Sequence, residues 1–227
     1  MRRFITLAIS IIAGCALSWA QTHYEGNISV GAKGGVTMSR LQFNPGVPQS
    51  FLQGMMMGVT ARYIEEKHFG IIAEVNFEQR GWKEKFEDMD YAYQRRLTYI
   101  QIPVLTHIYF GSNKFHGYFN AGPEAGFLIA ESTSANFDYE HAGEMPEFIT
   151  ANRQTQQFTL KPKNKFDYGI SAGMGMEFIS RNKSSFNLEG RFYYGLRDVF
   201  SNRKTDTFAG SSSMSIMLTL GYHYRVK

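Results

Sequence analysis

The segment Ile28-Ser29-Val30-Gly31-Ala32-Lys33-Gly34-Gly35-Val36-Thr37-Met38-Ser39 decides the fold. Ile28, Val30, Ala32, Val36 and Met38 fall on one face of an extended chain, and Ser29, Gly31, Lys33, Gly35, Thr37 and Ser39 on the other. Alternation of period two marks a strand lying between two unlike environments. The same pattern recurs seven more times, over about 52–64, 70–82, 97–110, 118–129, 166–178, 186–196 and 214–224. The connections near 65–68, 111–114 and 180–183 are short and turn-like, whereas 40–51, 83–96, 130–165 and 198–213 are longer and more polar. An even number of strands with alternating short and long connections predicts an all-β, eight-stranded, antiparallel up-and-down transmembrane barrel. Its short turns and both termini face the periplasm, and its long loops face outside.

The polar face decides between a soluble barrel and a membrane barrel. It mixes glycines (Gly31, Gly35, Gly58, Gly122, Gly169, Gly173) with Lys33, Arg62, Glu74, Glu78, Arg80, Glu124, Asp167, Glu177, Glu189 and Arg191. A soluble exterior has no steric need for glycine. A narrow lumen has, because long charged chains must fit where neighbours leave room. The opposite face carries aliphatic and aromatic side chains unsuited to water. Those ten charges are therefore expected to line the bore as a structural network of paired acids and bases that plugs it, since unpaired buried charges are costly. A selective pore is the competing reading. Aromatics near strand ends (Tyr63, Phe69, Trp82, Tyr109, Phe110, Tyr118, Phe178, Phe186, Tyr222, Tyr224) are expected to form two interfacial girdles.

The N-terminus has the parts of a secretory signal: Arg2-Arg3, an apolar stretch from Phe4 to Gly14, and Ser18-Trp19-Ala20 before Gln21. Cleavage after Ala20 gives a signal peptide at 1–20 and a barrel domain at 21–227. Ile12-Ala13-Gly14-Cys15 also has the form of a lipobox, but the chain beyond Cys15 stays apolar where a tether would be polar. Cys15 is the sole cysteine, so the cleaved chain has none, and thiol chemistry and disulfides fall away. Loss of Arg2 and Arg3 takes two from a net charge of +4, too little for nucleic-acid binding.

Chemistry finds little purchase. His107, His116, His141 and His223 have no metal-ligand spacing, and no G-x-S-x-G nucleophile motif occurs. The glycines around Lys33 and Met174 lie within strands and not at strand-to-helix turns, which removes a dinucleotide reading. Neither catalytic residues, nor a cofactor, nor a metal site are expected.

The runs NISVGAKGGVTMSRL (27–41), IIAEVNFEQRGWK (71–83), LTYIQIPVLTHIYF (97–110), YFNAGPEAGFLI (118–129), FDYGISAGMGMEF (166–178) and FNLEGRFYYGLRDV (186–199) resemble the outer-membrane β-barrel family of Bacteroidetes, often labelled PorT-like. The Tyr99–Pro103 run, Ala121–Pro123 and the Phe166–Gly169 opening carry most of the likeness. The resemblance implies an outer-membrane barrel of this size with no catalytic residues to transfer. One namesake serves type IX secretion, a role the resemblance alone does not bring here.

The expectation is a monomeric, non-enzymatic integral barrel of the Gram-negative outer membrane, in contact with its lipid and with a structural or interaction role. The alternatives are a narrow solute channel, an envelope component associated with type IX-like secretion, and an outer-membrane enzyme. The loop at 130–165, with Asn136, Phe137, Tyr139, Phe148 and Phe158, is the candidate contact for an envelope or extracellular protein.

Overall fold

The computed structural model describes residues 26–66, 68–86, 89–180, 183–200 and 207–226. The expected signal peptide lies outside them. In chain order the strands are β1 (Asn27–Asn44), β2 (Gln49–Ser50), β3 (Leu52–Glu66), β4 (Phe69–Glu84), β5 (Tyr93–Ser112), β6 (Phe115–Ala135), β7 (Phe166–Ile179), β8 (Ser184–Asp198) and β9 (Gly210–Arg225). The eight long strands pair antiparallel with their chain neighbours, and β9 returns to pair with β1 from Ser29↔Arg225 to Asn44↔Gly210. The ring is closed and so leaves no edge unpaired in lipid. The two-residue β2 pairs with the end of β4.

Side-chain direction follows the alternation. Ile28, Val36, Met55, Val59, Ile71, Val75, Ile170, Leu218 and Leu220 point outward as an apolar belt, while the polar parity is buried in the bore. Two prolines interrupt the ladders in mid-wall. The β5–β6 pairing breaks between Pro103↔Glu124 and Thr106↔Ala121, next to Pro123, because proline has no N–H to give.

The strands run well beyond the belt. β5 has 20 residues and β6 has 21, about twice what a tilted strand needs to cross a bilayer. Beyond the lipid the pattern inverts: apolar side chains turn in and polar ones turn out. Leu41, Phe43, Trp82, Tyr93, Leu97 and Tyr99 are buried inside the barrel's upper end. A reading that follows apolar-out alternation stops where the solvent changes. This is why the loops expected at 40–51, 83–96, 130–165 and 198–213 are shorter in the structure, and why β9 begins at Gly210.

The connection between β6 and β7 is folded. It carries a 3-10 turn (Ala142–Glu144) and short helices at Pro146–Thr150 and Gln156–Thr159. Phe148 and Phe158, each 1% exposed, pack with Phe43, Trp82, Tyr93, Val199, Phe200 and Phe208 into an aromatic cap over the mouth. Tyr93 packs tilted against Phe158 with ring centroids 4.6 Å apart, and Phe43 against Phe208 at 4.9 Å.

The expected girdles need correction. Trp82 belongs to the cap, and Tyr109 and Tyr118 face the lumen against Ile64. The other seven aromatics point outward, all at the short-turn end. At the capped end the outward aromatics are a different set, Phe51, Phe127, Phe166 and Tyr168.

Candidate functional site

All ten charged side chains expected in the bore are buried there: Lys33, Arg62, Glu74, Glu78, Arg80, Glu124, Asp167, Glu177, Glu189 and Arg191. They stand in three tiers, stacked from cap to turns by their positions along the strands.

The upper tier centres on Arg80, whose guanidinium is 3.3 Å from Asp167, 3.7 Å from Glu124 and 3.8 Å from Glu78. It lies over the rings of Tyr193 and Tyr99 at 4.2 and 4.6 Å, where the π-faces stabilise the buried cation. Each acid also accepts a hydroxyl hydrogen bond: Glu124 from Ser171 (2.5 Å), Glu78 from Ser215 (3.0 Å) and Asp167 from Tyr193 (2.9 Å). Three carboxylates thus share one arginine.

In the middle tier, Arg191 holds both oxygens of Glu74 in a two-pronged bond of 2.7 and 2.9 Å and donates its Nε to Glu189 at 2.7 Å. Lys33 reaches Glu74 at 2.5 Å. Asn76 donates to Glu74 and Asn120 to Glu189. Room for this crowd comes from glycine across the ladder: Gly173 pairs with Arg191, and a Cβ on Gly173 would come 2.8 Å from Glu189 Oε1. Gly190, by contrast, has open space around it and faces outward.

The lower tier is Arg62 on Glu177 at 2.7 Å, with Ser185 donating to Glu177 at 2.5 Å and His116 at 3.7 Å. His223 is buried at this level. Below it a vestibule of about 520 Å³ opens at the short-turn end, lined by Asn27, His68, Tyr109, His116, Glu177 and Arg225. Between the middle and lower tiers, the space bounded by Lys33, Arg62, Glu74, His107, Tyr118 and Glu189 is a cavity of about 10 Å³, at or below the room one water molecule needs.

Neutral members of the network were missed by attention to charge. Asn76, Asn120, Ser171, Asn187 and Ser215 have the same inward parity as the charged residues, and that parity is the signal that marks them. Tyr99 and Tyr193 were less visible, since aromatics at those positions suit a strand on either face.

A polar clasp holds the cap to the rim. Glu84 accepts from Arg153 (2.8 Å) and Gln157 (3.1 Å), Arg95 donates to the Leu160 carbonyl (2.5 Å), and Arg153 lies over Phe86 at 4.1 Å. Burial of Glu84 raises its carboxyl above the ordinary glutamate value, against the lowering effect of Arg153 and Gln157. On the outer surface His141 and Asp138 pair at 2.8 Å, and that bond raises the histidine and lowers the aspartate. A crevice of about 600 Å³ runs between Gly46–Pro48 and 151–156.

A closed eight-strand ring with an apolar exterior, a charged bore and a capped mouth is the architecture of a bacterial outer-membrane barrel. The profile of the outer membrane protein beta-barrel domain matches residues 19–201, and the chain belongs to that family. Among solved structures it is similar to OprG of Pseudomonas aeruginosa (12% identity, 87% of this chain and 95% of that one, TM-score 0.50). It is also similar to Neisserial surface protein A (11%, 88% and 99%, 0.46). A third similar structure is Ail, the attachment invasion locus protein of Yersinia pestis (12%, 88% and 100%, 0.42). No curated protein sequence matches closely enough to count as a relative. The protein is thus an all-β integral barrel of the outer membrane.

Proposed function

We propose that this protein is a non-conducting, non-enzymatic outer-membrane barrel whose working surface is its folded external cap. The observation that carries this reading is the filled bore: three tiers of interlocked charged side chains, a mid-bore cavity of about 10 Å³ and an aromatic cap over the mouth. Hydrated solutes need a continuous water path, and paired side chains replace that water. The wall serves as a rigid scaffold, and the loops above it are the part free to differ in chemistry and to meet other molecules. The motifs at Tyr99–Pro103, Ala121–Pro123 and Phe166–Gly169 support assignment to the PorT-like branch of Bacteroidetes, and the Arg2-to-Ala20 segment supports export by a cleaved signal.

Phe137, Phe148 and Phe158 pack within the cap and are not the side chains offered to a partner. The cap's outer face instead presents Asp138, Glu140, Glu144, Glu147 and Ile149. Planar-bilayer recording and liposome swelling with small sugars test the reading. The refolded protein is expected to give neither steady conductance nor swelling. A stable open level would replace this reading with that of a narrow channel.

A further inference from the structure

Just above the apolar belt, at the capped end, one side of the barrel gathers three cations. Arg40 projects outward from β1, Lys83 from β4 and Arg96 from β5. Their side chains converge on the segment that opens β3. The Arg40 guanidinium lies over the Phe51 ring at 5.4 Å. Arg96 pairs with Gly81 and reaches past β4 to donate to the Gln53 carbonyl at 3.4 Å. Lys83 stands opposite Ser50. Among the described residues none of the three forms an ion pair.

The outward neighbours on the strands here are Gln42, Gln53, Gln79 and Gln94, so β1, β3, β4 and β5 present no outward acid at this height among the described residues. The opposite rim differs: exposed Glu65 and Glu66 accompany Lys114 and Lys183, and signs are mixed. Immediately below the cations come the lipid-facing Met38 and Met55. Their charged heads thus sit at the height where hydrocarbon gives way to headgroups.

Strands lie about 4.8 Å apart, so cations on β1, β4 and β5 share a patch the width of one glycolipid headgroup. Cations held together repel, and an anion seated among them relieves this. Arginine suits phosphate in particular, because its planar fork bonds two oxygens at once. The Phe51 ring and the methionines beneath offer an apolar wall for acyl chains. We infer that Arg40, Lys83 and Arg96 form a binding site for the phosphate of a phosphorylated glycolipid in the outer leaflet, with the acyl chains lying on the belt below. The inference rests on the cap facing outward.

The test uses the full refolded protein in phosphatidylcholine nanodiscs doped with lipid A, with lipid A stripped of its phosphates, or with phosphatidylglycerol. Native mass spectrometry reads the lipid retained by the barrel. Wild type is expected to keep lipid A and to lose it as salt rises. At about fivefold per surface cation, the triple variant Arg40→Gln, Lys83→Gln, Arg96→Gln should retain it on the order of a hundredfold less. Lys114→Gln, at the other rim, should retain it fully, and the double variant Arg40→Lys, Arg96→Lys, which keeps all three charges, should retain most of it. Equal retention by the glutamine variant, or equal retention of the phosphate-free lipid, overturns the site. Displacement by inorganic pyrophosphate as effective as by lipid A would mean a soluble anion is the ligand and overturn the lipid assignment. Preference for phosphatidylglycerol over lipid A would mean the cluster faces the inner leaflet, which overturns the orientation and leaves the closed-bore reading standing.

Discussion

Arg191 shows how much one side chain in the bore supports. It ties Glu74 and Glu189 together, and through Glu74 it shares a counter-charge with Lys33. Removing one member of a buried pair leaves an uncompensated charge, at a cost of roughly 3–5 kcal/mol. Arg191→Ala is therefore expected to lower the urea midpoint in detergent well below that of Met174→Ala, which trims a side chain 68% exposed to lipid. Equal midpoints would show that the tiers do not hold the barrel together. Glu84 gives a residue-scale test outside the membrane. Its carboxyl binds a proton more tightly folded than unfolded, because burial raises it. The folded cap then holds more protons than the unfolded chain between the two values, so stability falls as pH rises through that window and is regained below it. Fluorescence of Trp82, buried beside Glu84, should report a cap that loosens with rising pH in this window, and Glu84→Gln should flatten the dependence. A wild-type cap indifferent to pH would contradict it.

At the scale of the element, the β6–β7 connection is the piece whose order depends most on tertiary packing. Its helices have five and four residues, too short to stand alone in water. They persist because Phe148 and Phe158 are sunk among Trp82, Tyr93, Phe137 and Phe200 and because Glu84 clasps Arg153 and Gln157. Protease added to intact cells is expected to cut within 136–165, slowly, at a rate set by opening of the cap. Phe148→Ala, which removes about 3–5 kcal/mol of packing, should accelerate the cut. Protection in intact cells with cutting only after the outer membrane is breached would reverse the orientation.

For the whole molecule, the two ends of the barrel are unlike. The cap is aromatic and closed, while the other end keeps a polar vestibule of about 520 Å³ that stops at Glu177. Exchange with solvent should follow this asymmetry. Amide protons of the lower strand ends are expected to exchange before those in the middle tier, and the rim beneath the cap to be the slower of the two ends. Processing belongs to this scale also: N-terminal sequencing of envelope-purified protein should read Gln-Thr-His-Tyr, and a lipidated Cys15 would overturn the cleavage after Ala20.

How far the sequence reaches can be judged from particular residues. In the lipid, Val30, Lys33 and Val36 declare their faces, because hydrocarbon outside and a crowded polar bore inside punish any exchange, and period two records that penalty residue by residue. Strand number, antiparallel order and the inward direction of all ten lumenal charges follow from it. Above the lipid both faces tolerate more, and Leu41, Trp82 and Leu97 turn in where the rule followed below would have turned them out. Which carboxylate meets which cation was also illegible: Arg62 and Glu177, 115 residues apart, are brought together only by closure of the ring. The convergence of Arg40 and Arg96 on Phe51–Gln53 likewise belongs to the ring. Alternation is a local property that each strand carries alone; pairing, capping and clustering depend on shear and closure, which no single strand encodes.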